Sequence, residues 1–215
     1  MNRAALDGWV VTISASYGAG GSVVAPEVAG ALRLPFLDRA VPAAVVEELA
    51  GREGLAPDEP DESWARRLVG AAARLPALIG ASVPQPEAGT DDVEVFRADN
   101  ERRICEVAEG GGGVVLGRGA AAFLSGRPRC LHVRLDGPLA GRIARGRELE
   151  GLDEPAARRR QQAADRARAL YSHRFYDRDV EDPDLYHVML DSILVPLATC
   201  VDMITLAALA AAGPG

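Results

Sequence analysis

The sequence predicts an α/β fold: a parallel sheet of about five strands with helices on both faces. Three observations carry that expectation. Short apolar runs alternate with helical patterns along the chain. The first run leads into a glycine-rich turn and then an amphipathic helix. Polar motifs fall at the ends of successive strands, where open parallel sheets bind their ligands. Strands that alternate with helices bury both faces of a sheet, which is the setting parallel strands need.

The elements follow in order. Val10 to Ser14 (V-V-T-I-S) reads as a buried strand. Val24, Val28 and Leu32 recur at helical spacing after the turn and should face the sheet. Pro26 cannot donate to the carbonyl four residues back, so regular helix is expected near Ser22 or slightly later. Leu34 to Leu37 is a brief second strand ending at Asp38-Arg39. Pro42 opens a helix through Ala50, with the proline near its first position. Gly51 to Glu62 is loop, Ser63 to Ile79 helix, Ser82 to Asp92 a second flexible stretch, and Val93 to Glu109 helix. Gly110 to Gly113 reads as a turn. Gly113 to Leu116 and Leu131 to Leu135 are further strands. Pro138 begins a helix, and Glu154 to about Ser172 forms a long arginine-rich one. Tyr186 to Leu190 is the last strand, before a helix that ends near Ala212. No internal repeat is present.

The chain has 215 residues, 48% of them hydrophobic, enough for one domain with a full core. Its net charge of −7 argues against a general binder of nucleic-acid polymers. Charge is uneven, however. Residues 142–178 carry ten Arg against six acidic side chains, a local surplus suited to an anionic small molecule. Cys105, Cys130 and Cys200 are odd in number and far apart, which implies neither a disulfide framework nor a zinc site. The N-terminus lacks a basic region followed by an apolar stretch, and the alanine-rich C-terminus is broken by Asp202. A cytoplasmic domain without a membrane partner is expected.

The glycine turn carries the first chemistry. A full phosphate loop reads G-x-x-x-x-G-K-[ST]: backbone N–H groups cradle the phosphates, Lys adds a point charge and the hydroxyl holds Mg²⁺. Here Gly18, Ala19, Gly20, Gly21 and Ser22 follow the strand, with Gly21 near the lysine position. No lysine can come from elsewhere, because all 24 basic residues are arginine. Phosphate charge must be met by Arg, backbone amides, a helix N-terminus and metal. Arg166 and Arg168 are two apart and diverge by about 200° on a regular helix, so they can serve one ligand only where that helix ends or bends.

Gly18-Ala-Gly-Gly21, Pro35-Phe-Leu-Asp-Arg39, Val114-Val-Leu-Gly-Arg-Gly119, the Arg142/Arg145 helix and Asp165-Arg-Ala-Arg168 together resemble the cytidylate-kinase-like proteins, a nucleoside monophosphate kinase branch of the P-loop fold. The likeness runs in motif order from about Val10 to Ile204, and Leu190-Asp-Ser192 also resembles bacterial cytidylate kinases. It implies one P-loop nucleoside-kinase-like domain with a helical acceptor-site insertion around 40–109 and an arginine-rich lid around 142–180. It further implies transfer of the ATP γ-phosphoryl group to a nucleoside monophosphate, CMP or dCMP first, with Mg²⁺ as cofactor. By that resemblance Gly18, Ala19, Gly20, Gly21 and Ser22 bind phosphate, with Ser22 on the metal. Asp38, Arg39, Arg97 and Arg118 bind the acceptor, Arg102 or Arg103 being alternatives to Arg97. Arg142, Arg166 and Arg168 close over the transferring group. Cytidylate kinases proper have lysine at Gly21, a loss shared with the cytidylate-kinase-like branch, and Asp at Gly119. The alternatives are a kinase for another small acceptor and a nucleotide-binding regulatory protein without turnover. A homodimer is left open.

Overall fold

The computed structural model describes residues 6–38 and 92–213. The chain divides into two compact units, Met1–Arg39 with Glu101–Gly215, and Ala40–Asn100. The expected helices at 42–50 and 63–79, their loops at 51–62 and 82–91, and Arg39 lie outside the described residues.

Five strands form the sheet: β1 (Trp9–Ala15), β2 (Phe36–Leu37), β3 (Gly112–Leu116), β4 (Cys130–Asp136) and β5 (Val188–Asp191). Their order is β2-β3-β1-β4-β5 and every pairing is parallel, so β1 is central. The helices are α1 (Gly21–Leu32), α2 (Asp92–Glu109), α3 (Ala120–Phe123), α4 (Leu139–Glu150), α5 (Glu154–Tyr176) and α6 (Leu197–Ala212).

The alternation of side chains along β1 and β4 divides the core into two faces. On one, Val11, Ile13, Val133 and Leu135 pack with Val24, Val28 and Leu32 of α1 and with Cys200, Ile204 and Ala208 of α6. On the other, Val10 and Val115 pack with Ile104 and Ala108 of α2 and with Leu124. The helical spacing seen in the sequence therefore does face the sheet.

Most boundaries shift by one or two residues, β2 beginning at Phe36 and β5 at Val188, and two shifts have a clear physical cause. Strand β3 begins at Gly112 rather than Gly113. Gly112 has φ +95° and pairs with Trp9, and an added Cβ would lie 2.2 Å from the Trp9 carbonyl oxygen. Glycine there starts the ladder instead of continuing the turn. Helix α5 runs to Tyr176, past the expected end near Ser172, because Tyr171, Phe175 and Tyr176 form a ring cluster at its end, with Tyr176 also meeting Phe123. Asp177, at φ +49°, then terminates it in the left-handed region. The one-turn α3 follows Gly117-Arg118-Gly119 without a sequence signal of its own.

Candidate functional site

The glycine turn joins β1 to α1 at the carboxyl end of the central strand. Gly18 and Gly20 adopt φ +73° and +81°, in the left-handed region that favours glycine. Gly20 is the N-cap of α1; its carbonyl accepts the Val23 and Val24 N–H groups, and the Gly21 and Ser22 N–H groups precede the first intrahelical bond. Each glycine is also held by packing. A Cβ at Gly18 would fall 1.8 Å from the Arg142 carbonyl oxygen, and one at Gly20 would fall 2.7 Å from Leu197. At Gly21 it would meet the Ala15 methyl at 2.5 Å and the Leu116 side chain at 3.1 Å, so these neighbours leave no room for a lysine side chain.

Tyr17 anchors the turn to α4 and α5. Its ring lies over Gly146, where a Cβ would approach it to 2.3 Å, and its hydroxyl donates to Glu150 at 3.3 Å. Burial, reinforced by Glu150, pushes its phenol up to about 12. Its N–H donates to Asp165 Oδ1 at 2.8 Å, and its carbonyl accepts from Arg142 at 3.2 Å.

Asp165 is the focus of the site. Oδ1 accepts from the Tyr17 N–H and from Arg168; Oδ2 accepts from Arg142 at 2.9 Å and from Gln161 at 2.8 Å. Burial alone would raise its pKa, but the Arg168 charge and the bonds from Gln161, Tyr17 and Arg142 outweigh it and hold the carboxyl at about 2. An anion thus sits where a backbone N–H of the turn and two arginines converge.

Behind the turn lies a polar chain that motif matching did not find. Arg134 of β4 lies opposite Ser14 of β1 and donates to Ser16 Oγ at 3.0 Å and to Asp136 at 3.1 Å. Asp136 also pairs with Arg142 at 3.2 Å and accepts the Gly137 N–H. Buried Ser192 donates to the Ala19 carbonyl at 2.8 Å, and its own carbonyl accepts from Arg145. The signal was present as alternation: His132, Arg134 and Asp136 share one face of a strand whose other positions are apolar.

At the carboxyl end of β3, Gly117, Arg118 and Gly119 all have positive φ, between +61° and +67°. For Arg118 that backbone costs on the order of 1 kcal/mol or more and persists only where surroundings enforce it. Arg118 is buried, and its Nε donates to the carbonyl of Asp38. A Cβ at Gly119 would lie 2.6 Å from the Tyr176 ring. The position therefore cannot hold the Asp that cytidylate kinases have there. Burial, with Tyr171 and Glu101 nearby, raises the Tyr176 phenol above its ordinary value.

The structure brings Arg142 and Arg168 together at the turn, and Arg118 to Asp38. It does not bring Arg166 in. Helix α5 is unbroken through both residues, so Arg166 is exposed while Arg168 turns toward Asp165. Arg97 belongs to the 40–100 unit and pairs with Glu94 at 2.9 Å. Among the described residues no group of three His, Cys, Asp or Glu could hold a metal. Mg²⁺ in phosphoryl-transfer sites takes mainly phosphate and water oxygens with one or two protein ligands. The exposed Ser22 on the first turn of α1 fits that smaller demand.

A family model described as the cytidylate kinase-like family matches residues 10–193. Among solved structures, an uncharacterized protein from Eubacterium ventriosum ATCC 27560 is similar with a TM-score of 0.61 and 19% identity, covering 93% of this chain and 98% of that one. A gluconokinase from Sinorhizobium meliloti 1021 is similar with a TM-score of 0.50 and 18% identity, covering 94% and 91%. At such identities the likeness establishes the fold alone. No curated protein matches the chain.

Proposed function

The chain belongs to the cytidylate kinase-like family, and from that membership we propose that it transfers the γ-phosphoryl group of ATP to a small-molecule acceptor, with a nucleoside monophosphate, CMP or dCMP, as the first candidate. The observation that carries the reading is the convergence on Asp165. The Tyr17 N–H, Arg142 and Arg168 already enclose an anion at the glycine turn. A phosphoryl group there would meet the same donors.

Phosphoryl transfer asks a protein chiefly for in-line positioning and for charge stabilisation on the transferring oxygens. Backbone N–H groups at the start of α1 would bind the donor phosphates, aided by the helix dipole. Arg142 and Arg168 would exchange the Asp165 carboxylate for phosphoryl oxygens, a role their rigid fork of donors suits. Mg²⁺, with Ser22 as a protein ligand, would neutralise charge between the phosphates. Arg118 and Asp38, with Arg39, would orient the acceptor. Arg166 would join only after a change in α5 that turns it inward.

A second reading is supported by Gly119. Because Tyr176 fills the space beyond it, the acceptor pocket lacks a carboxylate that cytidylate kinases present, which favours a different phosphate- or hydroxyl-bearing acceptor over CMP. The test is an ADP-release screen of purified protein with ATP and Mg²⁺ against nucleoside monophosphates and small hydroxyl compounds, with ATP calorimetry beside it. Release that depends on CMP or dCMP supports the first reading. Release that depends on another acceptor supports the second. ATP binding without turnover against any acceptor leaves a nucleotide-binding regulatory protein.

A further inference from the structure

We propose that Arg134, a residue of β4 that need not touch any ligand, is the positioning residue that supplies the glycine turn with the fixed positive charge lysine gives to other phosphate loops. The inference rests on the reading of the turn as the donor-phosphate site.

Lysine is not merely absent at Gly21; the Ala15 methyl and Leu116 exclude a side chain there. The charge must come from another direction. Arg134 comes from beneath, on the strand next to β1. Only 4% of it is exposed. Its guanidinium reaches Ser16 Oγ, the last side chain before the turn, at 3.0 Å, and lies 5.7 Å from the Tyr186 ring centroid.

Burying an arginine is expensive, and apolar residues of similar volume often replace buried ion pairs at no loss of stability. A strand interior does not need one. Nor does this charge stand in a closed pair. Arg134 and Arg142 share Asp136, and Arg142 and Arg168 share Asp165. By occupying one oxygen of Asp136, Arg134 keeps that carboxylate from neutralising Arg142 alone. Poor solvent access lets such a charge act over a longer distance than in water.

The test is calorimetric affinity for ADP, ATP and inorganic tripolyphosphate in the wild type, Arg134→Met and Arg134→Lys, with thermal melts to establish folding. Arg134→Met should weaken ATP and tripolyphosphate on the order of tenfold and ADP less, because the loss grows with ligand charge. Arg134→Lys should recover most of it. If Arg134→Met fails to fold, Arg134→Gln, which keeps a hydrogen-bonding group beside Ser16 and Asp136, gives the same readout. Unchanged ATP affinity in a folded, uncharged variant would overturn the inference, and so would equal losses for ADP and ATP. If the wild type itself binds no ATP, the donor-site reading falls and this inference with it.

Discussion

Asp165 accepts the backbone N–H of Tyr17 at 2.8 Å, across 148 positions of sequence. That bond fastens the arginine-rich helix α5 to the glycine turn, and Arg142 doubles it by holding both the Tyr17 carbonyl and the Asp165 carboxylate through one guanidinium nitrogen. The turn and α5 are therefore one hydrogen-bonded unit.

Replacing Asp165 with Asn should loosen that unit. It leaves Arg142 and Arg168 without their shared anion while the side chain is only 26% exposed, so a cost on the order of 2 kcal/mol is expected, below that of a fully buried pair. Urea melts at pH 7 measure it. The folded pKa of Asp165 lies below its unfolded value, so its contribution is present above about 3.8 and is lost as pH falls toward about 2. An unchanged melting midpoint in Asp165→Asn would show that the network adds nothing to stability.

Arg168 and Arg166 should behave unequally. Arg168→Ala removes a group already at the turn and should lower kcat on the order of 10²-fold, with a smaller change in KM. Arg166→Ala alters an exposed side chain and should leave kcat within a few-fold. Steady-state kinetics with the best acceptor decides it, and equal losses in both variants would mean that α5 rearranges in the working enzyme.

Gly21→Lys should not restore an ordinary phosphate loop. The added side chain collides with Ala15 and Leu116, and overpacking of this kind costs about 1–3 kcal/mol. Lower thermal stability without a gain in ATP affinity is the expected result. A stable variant with tighter ATP binding would contradict the account of why lysine is missing.

His132 gives a separate pH signature. Burial, then the neighbouring His187, lowers its pKa from 6.5 to about 4. Its ring stacks on His187 and its Nδ1 lies 2.8 Å from Thr12 Oγ1. The neutral ring is the one the fold accepts, so the unfolded chain binds more protons between those values. Stability should be full above about 6.5 and fall by on the order of 3 kcal/mol as pH drops toward 4. Chemical denaturation across that range should show a drop in the wild type that His132→Phe largely lacks.

The sheet was legible because its signals are local. Val24, Val28 and Leu32 mark a helix face, β1 is a short apolar run, and the glycine turn announces the βα junction. The donors at the turn were legible in part. Arg142 and Arg168 were found by motif, and the divergence of Arg166 from Arg168 follows from helix geometry once α5 is known to be unbroken. Arg134, Asp136 and the hub role of Asp165 were not found, because each depends on which elements become neighbours in space. Only the β1–β4 pairing sets Arg134 beside Ser14 and Ser16. Gly119 was read as a departure from a motif; its cause, the Tyr176 ring, comes from the far end of α5.

On the proposed function, the turn at Tyr17 and the arginines around Asp165 hold the donor phosphates of a phosphotransferase that works without lysine. Acceptor-dependent ADP release, compared between the wild type and the Arg142→Ala, Arg168→Ala double variant, tests it most directly. Turnover by the wild type is expected, with a fall in kcat of at least about 10²-fold in a double variant that remains folded. A folded double variant that releases ADP at the wild-type rate would contradict it.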